Sequence, residues 1–95
     1  MIYVVAYDLR EPNTPEDYEN MATAIKGVGP WARVEKSVWL VESAKTHIEV
    51  RDQLKAAMRE QDILFVAKLA NASAWKKLPK EVSDWILSAS SRGAF

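Results

Sequence analysis

The hydrophobic pattern divides the chain into six ordered segments and a tail. Ile2 to Tyr7 is an unbroken apolar run, rich in β-branched and aromatic residues. Such a run predicts a strand buried on both faces, and therefore central in its sheet. Asp8 ends it, and Leu9-Arg10-Glu11-Pro12-Asn13 reads as a loop. Thr14-Pro15-Glu16-Asp17 combines a capping hydroxyl, a proline suited to the first helical position and a capping-box acid. Tyr18, Met21, Ala22 and Ile25 then recur on one helical face, and Gly27 and Gly29-Pro30 end the helix. Residues 31–34 and 37–41 predict two strands, with Glu35-Lys36 near a tight turn that lacks the usual Asn-Gly pair. Alternation is expected to aim Ala32 and Val34 at the helices, and Arg33 and Glu35 the other way.

Thr46-His47-Ile48-Glu49 is a second capping box. Val50, Leu54, Ala57 and Met58 form the apolar stripe that follows, with Ile48 off it. Asp62 closes the connector as a turn residue, and residues 63–69 predict a fourth strand. The order strand, helix, two strands, helix, strand is the split βαβ pattern. It predicts an α+β, ferredoxin-like βαββαβ sandwich over residues 1–70. Four antiparallel strands would carry two helices on one face, with strands one and three central. Residues 71–95 are expected as a C-terminal arm or short helix, with Val82, Trp85 and Ile86 on one side, and as a candidate to pack on a partner subunit.

Alternation along strand one separates Tyr3, Val5 and Tyr7 from Ile2, Val4 and Ala6. With the smaller set against the helices, the Tyr3 set is expected on the open face, joined by Trp39 and Val41. A monomer rarely leaves so large an apolar patch bare. Three covers suggest themselves: a second copy of the chain, the arm with Trp75 and Trp85, or stacked nucleobases. The first makes Tyr3, Val5, Tyr7, Trp39 and Val41 a homodimer interface, since oligomer contacts are enriched in aromatics. The last resembles an RNA-recognition sheet, but the Gly-and-aromatic octapeptide of that family is missing from Ser-Val-Trp-Leu-Val-Glu.

Composition narrows the chemistry. There is no cysteine among the 95 residues, which excludes disulfides, thiol catalysis and cysteine-based zinc sites. That absence, a start without a basic leader and apolar runs of only strand length fit a cytoplasmic protein outside the membrane. Thirteen basic and thirteen acidic residues cancel, so bulk attraction to nucleic acid is not expected. The charges are uneven: residues 1–63 carry 8 basic and 11 acidic side chains, and residues 64–95 carry 5 and 2.

A strand ending in Tyr7-Asp8, a second carrying Arg33-Val34, its direct turn into Ser37-Val38-Trp39, and Asp62 before an apolar last strand occur in that order. In these features the chain resembles the CRISPR-associated Cas-two family, closest to its stand-alone SinR-like branch. It is similar in layout to the VapD-like toxin ribonucleases. The resemblance spans roughly residues 1–70. It implies a dimeric nucleic-acid-processing protein, a metal-dependent endonuclease or endoribonuclease, with Asp8 as the catalytic and metal-binding residue. It places Arg33 and Ser37 at nucleic-acid-contacting positions.

Asp8 alone cannot hold Mg²⁺ or Mn²⁺ well, because a small hard cation wants an octahedral oxygen shell. A two-fold dimer repeats every position across its axis, so two copies of Asp8 can share one ion. Arg10, Arg33 and Lys36 are candidate clamps for phosphates of RNA or DNA. The competing reading of Asp8 is a loop residue capping the strand end by accepting backbone amides. A non-catalytic dimeric scaffold of the same fold is the competing function. His47, the only histidine, is expected at the surface, and Ser37 lacks the partners of a nucleophile.

Overall fold

A computed structural model describes residues 1–95. The elements are β1 (Ile2–Asp8), α1 (Pro15–Lys26), β2 (Trp31–Glu35), β3 (Val38–Glu42), α2 (His47–Lys55), β4 (Ile63–Lys68) and α3 (Lys80–Ser91). They form a four-stranded antiparallel sheet in the order β2-β3-β1-β4. The ferredoxin-like sandwich expected from the hydrophobic pattern is present, with β1 and β3 central. No helix is long and apolar enough to cross a membrane.

Local sequence sets both helix starts. Thr14 and Thr46 each accept the backbone N–H three residues on, and Asp17 and Glu49 return the bond to the capping residue's N–H. Each exchange satisfies two amides that the first helical turn leaves without partners. Helix α2 is shorter than its apolar stripe suggested. It ends at Lys55, where tighter turns from Leu54 to Ala57 and Lys55 to Met58 take over, and Ala57 is exposed.

Which face the helices cover differs from expectation. Tyr3, Val5, Tyr7, Trp39 and Val41 are buried beneath α1 and α2, in one core with Met21, Ile25, Val50 and Leu54. The helices contribute medium-sized side chains, so the sheet supplies the bulk that fills the space between the layers. Both tyrosines also need partners for their hydroxyls. At this rim Tyr3 reaches the carbonyl of Lys45, and Tyr7 that of Lys36 at 2.9 Å. The five residues therefore form the interior of the chain itself, and the dimer interface expected of them is not on an open face.

The smaller set, Ile2, Val4 and Ala6, faces the other way. Ala32 and Val34 lie there too, which reverses their expected side, and Arg33 sits on the α1 side. Of the three covers considered, the chain's own arm is the one in place. Helix α3 folds back and packs Val82, Ile86 and Ala89 on Ile2, Ala32 and Leu40. Trp85 joins this second core, and Trp75 lines a groove with Val4, Val38 and Leu69. Pro79 gives α3 no side-chain cap, so the helix depends on packing, with the part-exposed Arg92–Glu42 ion pair at 3.1 Å adding little. Two apolar side chains on this face remain outside the cover: Ile63 is 46 % and Phe65 62 % exposed.

Candidate functional site

Asp8 is the last residue of β1 and pairs with Ile63 across the β1–β4 ladder. Alternation places it on the face of Val4 and Ala6, beside the uncovered Ile63 and Phe65. Its carboxylate is 58 % exposed and lies 3.5 Å from the Arg10 guanidinium, itself half exposed. It accepts no backbone amide, so it does not cap the strand end in that way. An exposed pair of this kind contributes only about 0–1 kcal/mol. Stability therefore does not account for a carboxylate at this position.

The loop beyond Asp8 is held from below. Asp62 has 2 % of its side chain exposed. Its two oxygens accept from the Arg10 N–H at 2.9 Å, the Arg59 N–H at 3.1 Å and the Arg59 Nε and Nη2 at 3.2 and 2.9 Å. Arg59 in turn donates to the carbonyls of Pro12 and Arg10, and approaches Asp17 at 3.7 Å. Asn13 closes the loop with a bond to the Leu9 carbonyl. Burial pushes the Asp62 carboxyl up, but the bonds from the Arg59 side chain and from the Arg59 and Arg10 amides outweigh it, and its pKa lies below the ordinary value. The bond to Asp62 holds Arg59 above its own ordinary value. Asp62 is thus the turn residue it was expected to be, with an anchoring role that its spacing alone does not announce.

The other expected contacts gather at the β2–β3 hairpin. The Arg33 guanidinium lies 4.7 Å over the Trp39 ring and donates from Nη2 to the Lys36 carbonyl at 2.8 Å. The Lys36 ammonium sits 4.1 Å over Tyr18. Trp39 Nε1 donates to the Tyr7 hydroxyl at 3.0 Å, which donates on to the same Lys36 carbonyl. A register shift between Arg33 and Glu35 tightens this turn. Ser37 lies in the turn, before β3 begins, with its carbonyl accepting the Tyr7 N–H. The structure thus joins Asp8 to Arg10, and Arg33 to Lys36. It sets the two groups at the same end of the sheet but on opposite faces. His47 is exposed on the first turn of α2.

No three His, Cys, Asp or Glu side chains converge in a way that would hold a metal ion. One chain offers Asp8 alone, a single carboxylate already facing a guanidinium. That donor set does not complete the shell of Mg²⁺ or Mn²⁺. A site for such an ion needs a donor from another molecule.

No family model matches the chain, and no curated protein matches it. Among solved structures it is similar to Cas2 of Streptococcus pyogenes at pH 6.5, with 21 % identity and a TM-score of 0.58 over 74 % of this chain and 87 % of that one. At that identity the likeness is one of fold alone.

Proposed function

We propose that the chain is a Cas2-like, dimeric nucleic-acid-processing protein in which Asp8 is the working carboxylate. The observation that carries this reading is the setting of Asp8. It is exposed, stabilises little, and stands at a strand end beside bare apolar side chains. Ile63 and Phe65 share its face and are paired in register with Asp8 and Ala6. A second copy closing over that strip removes them from water and brings a second Asp8 to the interface. Symmetry then supplies the donor that one chain lacks.

In such a dimer the two Asp8 carboxylates would hold Mg²⁺ or Mn²⁺, which supplies Lewis-acid polarisation of a phosphodiester. The remaining roles belong to the chain itself. Arg10, next to Asp8, orients a phosphate oxygen and offsets the carboxylate's repulsion of it. The Arg59–Asp62 anchor fixes the loop that carries Arg10.

Two measurements test the reading. Light scattering at micromolar concentration is expected to return twice the 10.7 kDa chain mass, and Phe65→Asp to return the monomer. Labelled RNA and DNA incubated with Mg²⁺ or Mn²⁺ are expected to be cleaved by the wild type and left intact by Asp8→Ala. Absence of cleavage from about pH 6 to 9 sinks the nuclease assignment. If the dimer persists in that case, the scaffold reading replaces it. A monomer removes the shared site altogether.

A further inference from the structure

On the far side of the sheet from Asp8, three cations stand in line along the edge strand. Lys26, in the last turn of α1, holds its ammonium 4.7 Å over the Trp31 ring. Arg33 follows over Trp39, and Lys36 over Tyr18. None of the three makes an ion pair with a carboxylate; Lys45, Lys55, Lys68, Lys76 and Lys77 make none either, but only Lys26, Arg33 and Lys36 lie over aromatic rings. Their partners are aromatic faces, which hold a cation without neutralising it. Glu19 is the one carboxylate that lines the groove between α1 and β2.

Arg33 is the least satisfied member. Its Nε is shut off from solvent and has no acceptor, and only Nη2 is bonded within the chain. A guanidinium has five N–H donors, and the two on Nη1 have no partner within the chain. Strand β2 is an edge strand, leaving its outer backbone groups unpaired. Trp31, at the start of the line, is 40 % exposed.

We propose that this groove is a track for one strand of nucleic acid, with phosphates on Lys26, Arg33 and Lys36 and the exposed edge of Trp31 beside a base. A single line of cations interleaved with aromatic rings suits one flexible backbone. The direction follows from the fold. Five residues of β2 span roughly 15 Å, from Lys26 and Trp31 at one end to the hairpin at the other. The hairpin carbonyl of Ser37 bonds the N–H of Tyr7, next to Asp8. A strand laid along the track therefore arrives at the end of the sheet where Asp8 stands, on the face opposite its carboxylate. The inference rests on the proposed function only in naming that destination.

The test is fluorescence anisotropy of a labelled single-stranded oligonucleotide, in EDTA so that no cleavage intervenes, at stepped salt. Lys26→Ala/Lys36→Ala removes two cations that are exposed and pack no core. Lys45→Ala/Lys55→Ala, equally exposed, removes the same charge elsewhere. The track variant is expected to lose about tenfold in affinity, with the salt slope reduced by about 1.4, and the control to stay within about twofold. Equal losses in both variants, no loss in the track variant, or no binding by the wild type overturns the track. Cleavage read separately distinguishes the two ideas. A wild type that cleaves in Mg²⁺ while the track variant binds unchanged leaves Asp8 in place and refutes the track. Selective loss of binding in a protein that never cleaves keeps the track and refutes the nuclease.

Discussion

Replacing Asp62 by Asn tests whether the loop after Asp8 is anchored by charge. The substitution keeps the volume and one carbonyl oxygen. It turns the second acceptor into an NH₂ that faces donors. Of the four N–H groups that converge on the carboxylate, about half keep a partner. Bonds to a charged group contribute about 1.5–3 kcal/mol each. With the discount due because the Arg59 side chain is 32 % exposed, losing two of them costs about 3 kcal/mol. In a domain of this size that lowers the melting temperature by about 15 °C. Thermal unfolding at neutral pH, followed by tryptophan fluorescence, reads this directly. The sign of the pH dependence follows from linkage. A carboxyl whose folded pKa lies below its ordinary 3.8 is protonated first in the unfolded chain as pH falls. Its stabilisation is therefore complete above about pH 5 and is lost as pH drops through 3.8 toward the folded value. The gap between wild type and variant should close over that acid range. A shift under about 4 °C at neutral pH, or a gap that stays constant into acid, refutes the anchor.

Three further outcomes follow from the geometry. Tyr7→Phe leaves the buried Trp39 Nε1–H without its acceptor and should cost about 1–2 kcal/mol in urea denaturation; no measurable change means that the indole finds another partner. Gly29→Ala places a Cβ 2.2 Å from the Glu42 carbonyl oxygen, where backbone must move, so a loss of about 1–3 kcal/mol is expected. A neutral result there means that the β2 entrance yields without cost. Ile86→Ala empties a buried contact between α3 and the sheet and should cost about 2–4 kcal/mol with faster amide exchange in α3; unchanged exchange argues that α3 is held by something other than its apolar stripe.

Much of the architecture is legible in the sequence, because the signals are local. The Thr14 and Thr46 boxes fix two helix starts, and the apolar run of β1 declares a central strand. The stripe of Val82, Trp85 and Ile86 marks α3. What local pattern does not contain is which side is which. Alternation sorts Tyr3, Val5 and Tyr7 from Ile2, Val4 and Ala6, but it is silent on which set meets α1 and α2. That choice belongs to tertiary packing, where bulky rings fill the gap under medium-sized helix side chains and a third helix brings its own cover. The exposure of Asp8 is likewise a property of the assembled end of the sheet. The anchor of Arg59 and Asp62 is hidden for another reason: a pair three residues apart is common, and only the fold brings Arg10, Pro12 and Asp17 to it.

The central place of β1 has a consequence for synthesis. β1 is made before both of the strands that flank it. Its first neighbour, β3, is complete at Glu42, but its second, β4, is complete only at Lys68. Until then the apolar segment from Ile2 to Tyr7 has one edge without backbone partners, and α3 has not been made to shield the second face. On the ribosome this segment is the natural landing place for a chaperone that reads extended apolar peptide. It is also where a slowed ribosome would leave the nascent chain most prone to pair with its neighbour on the same message.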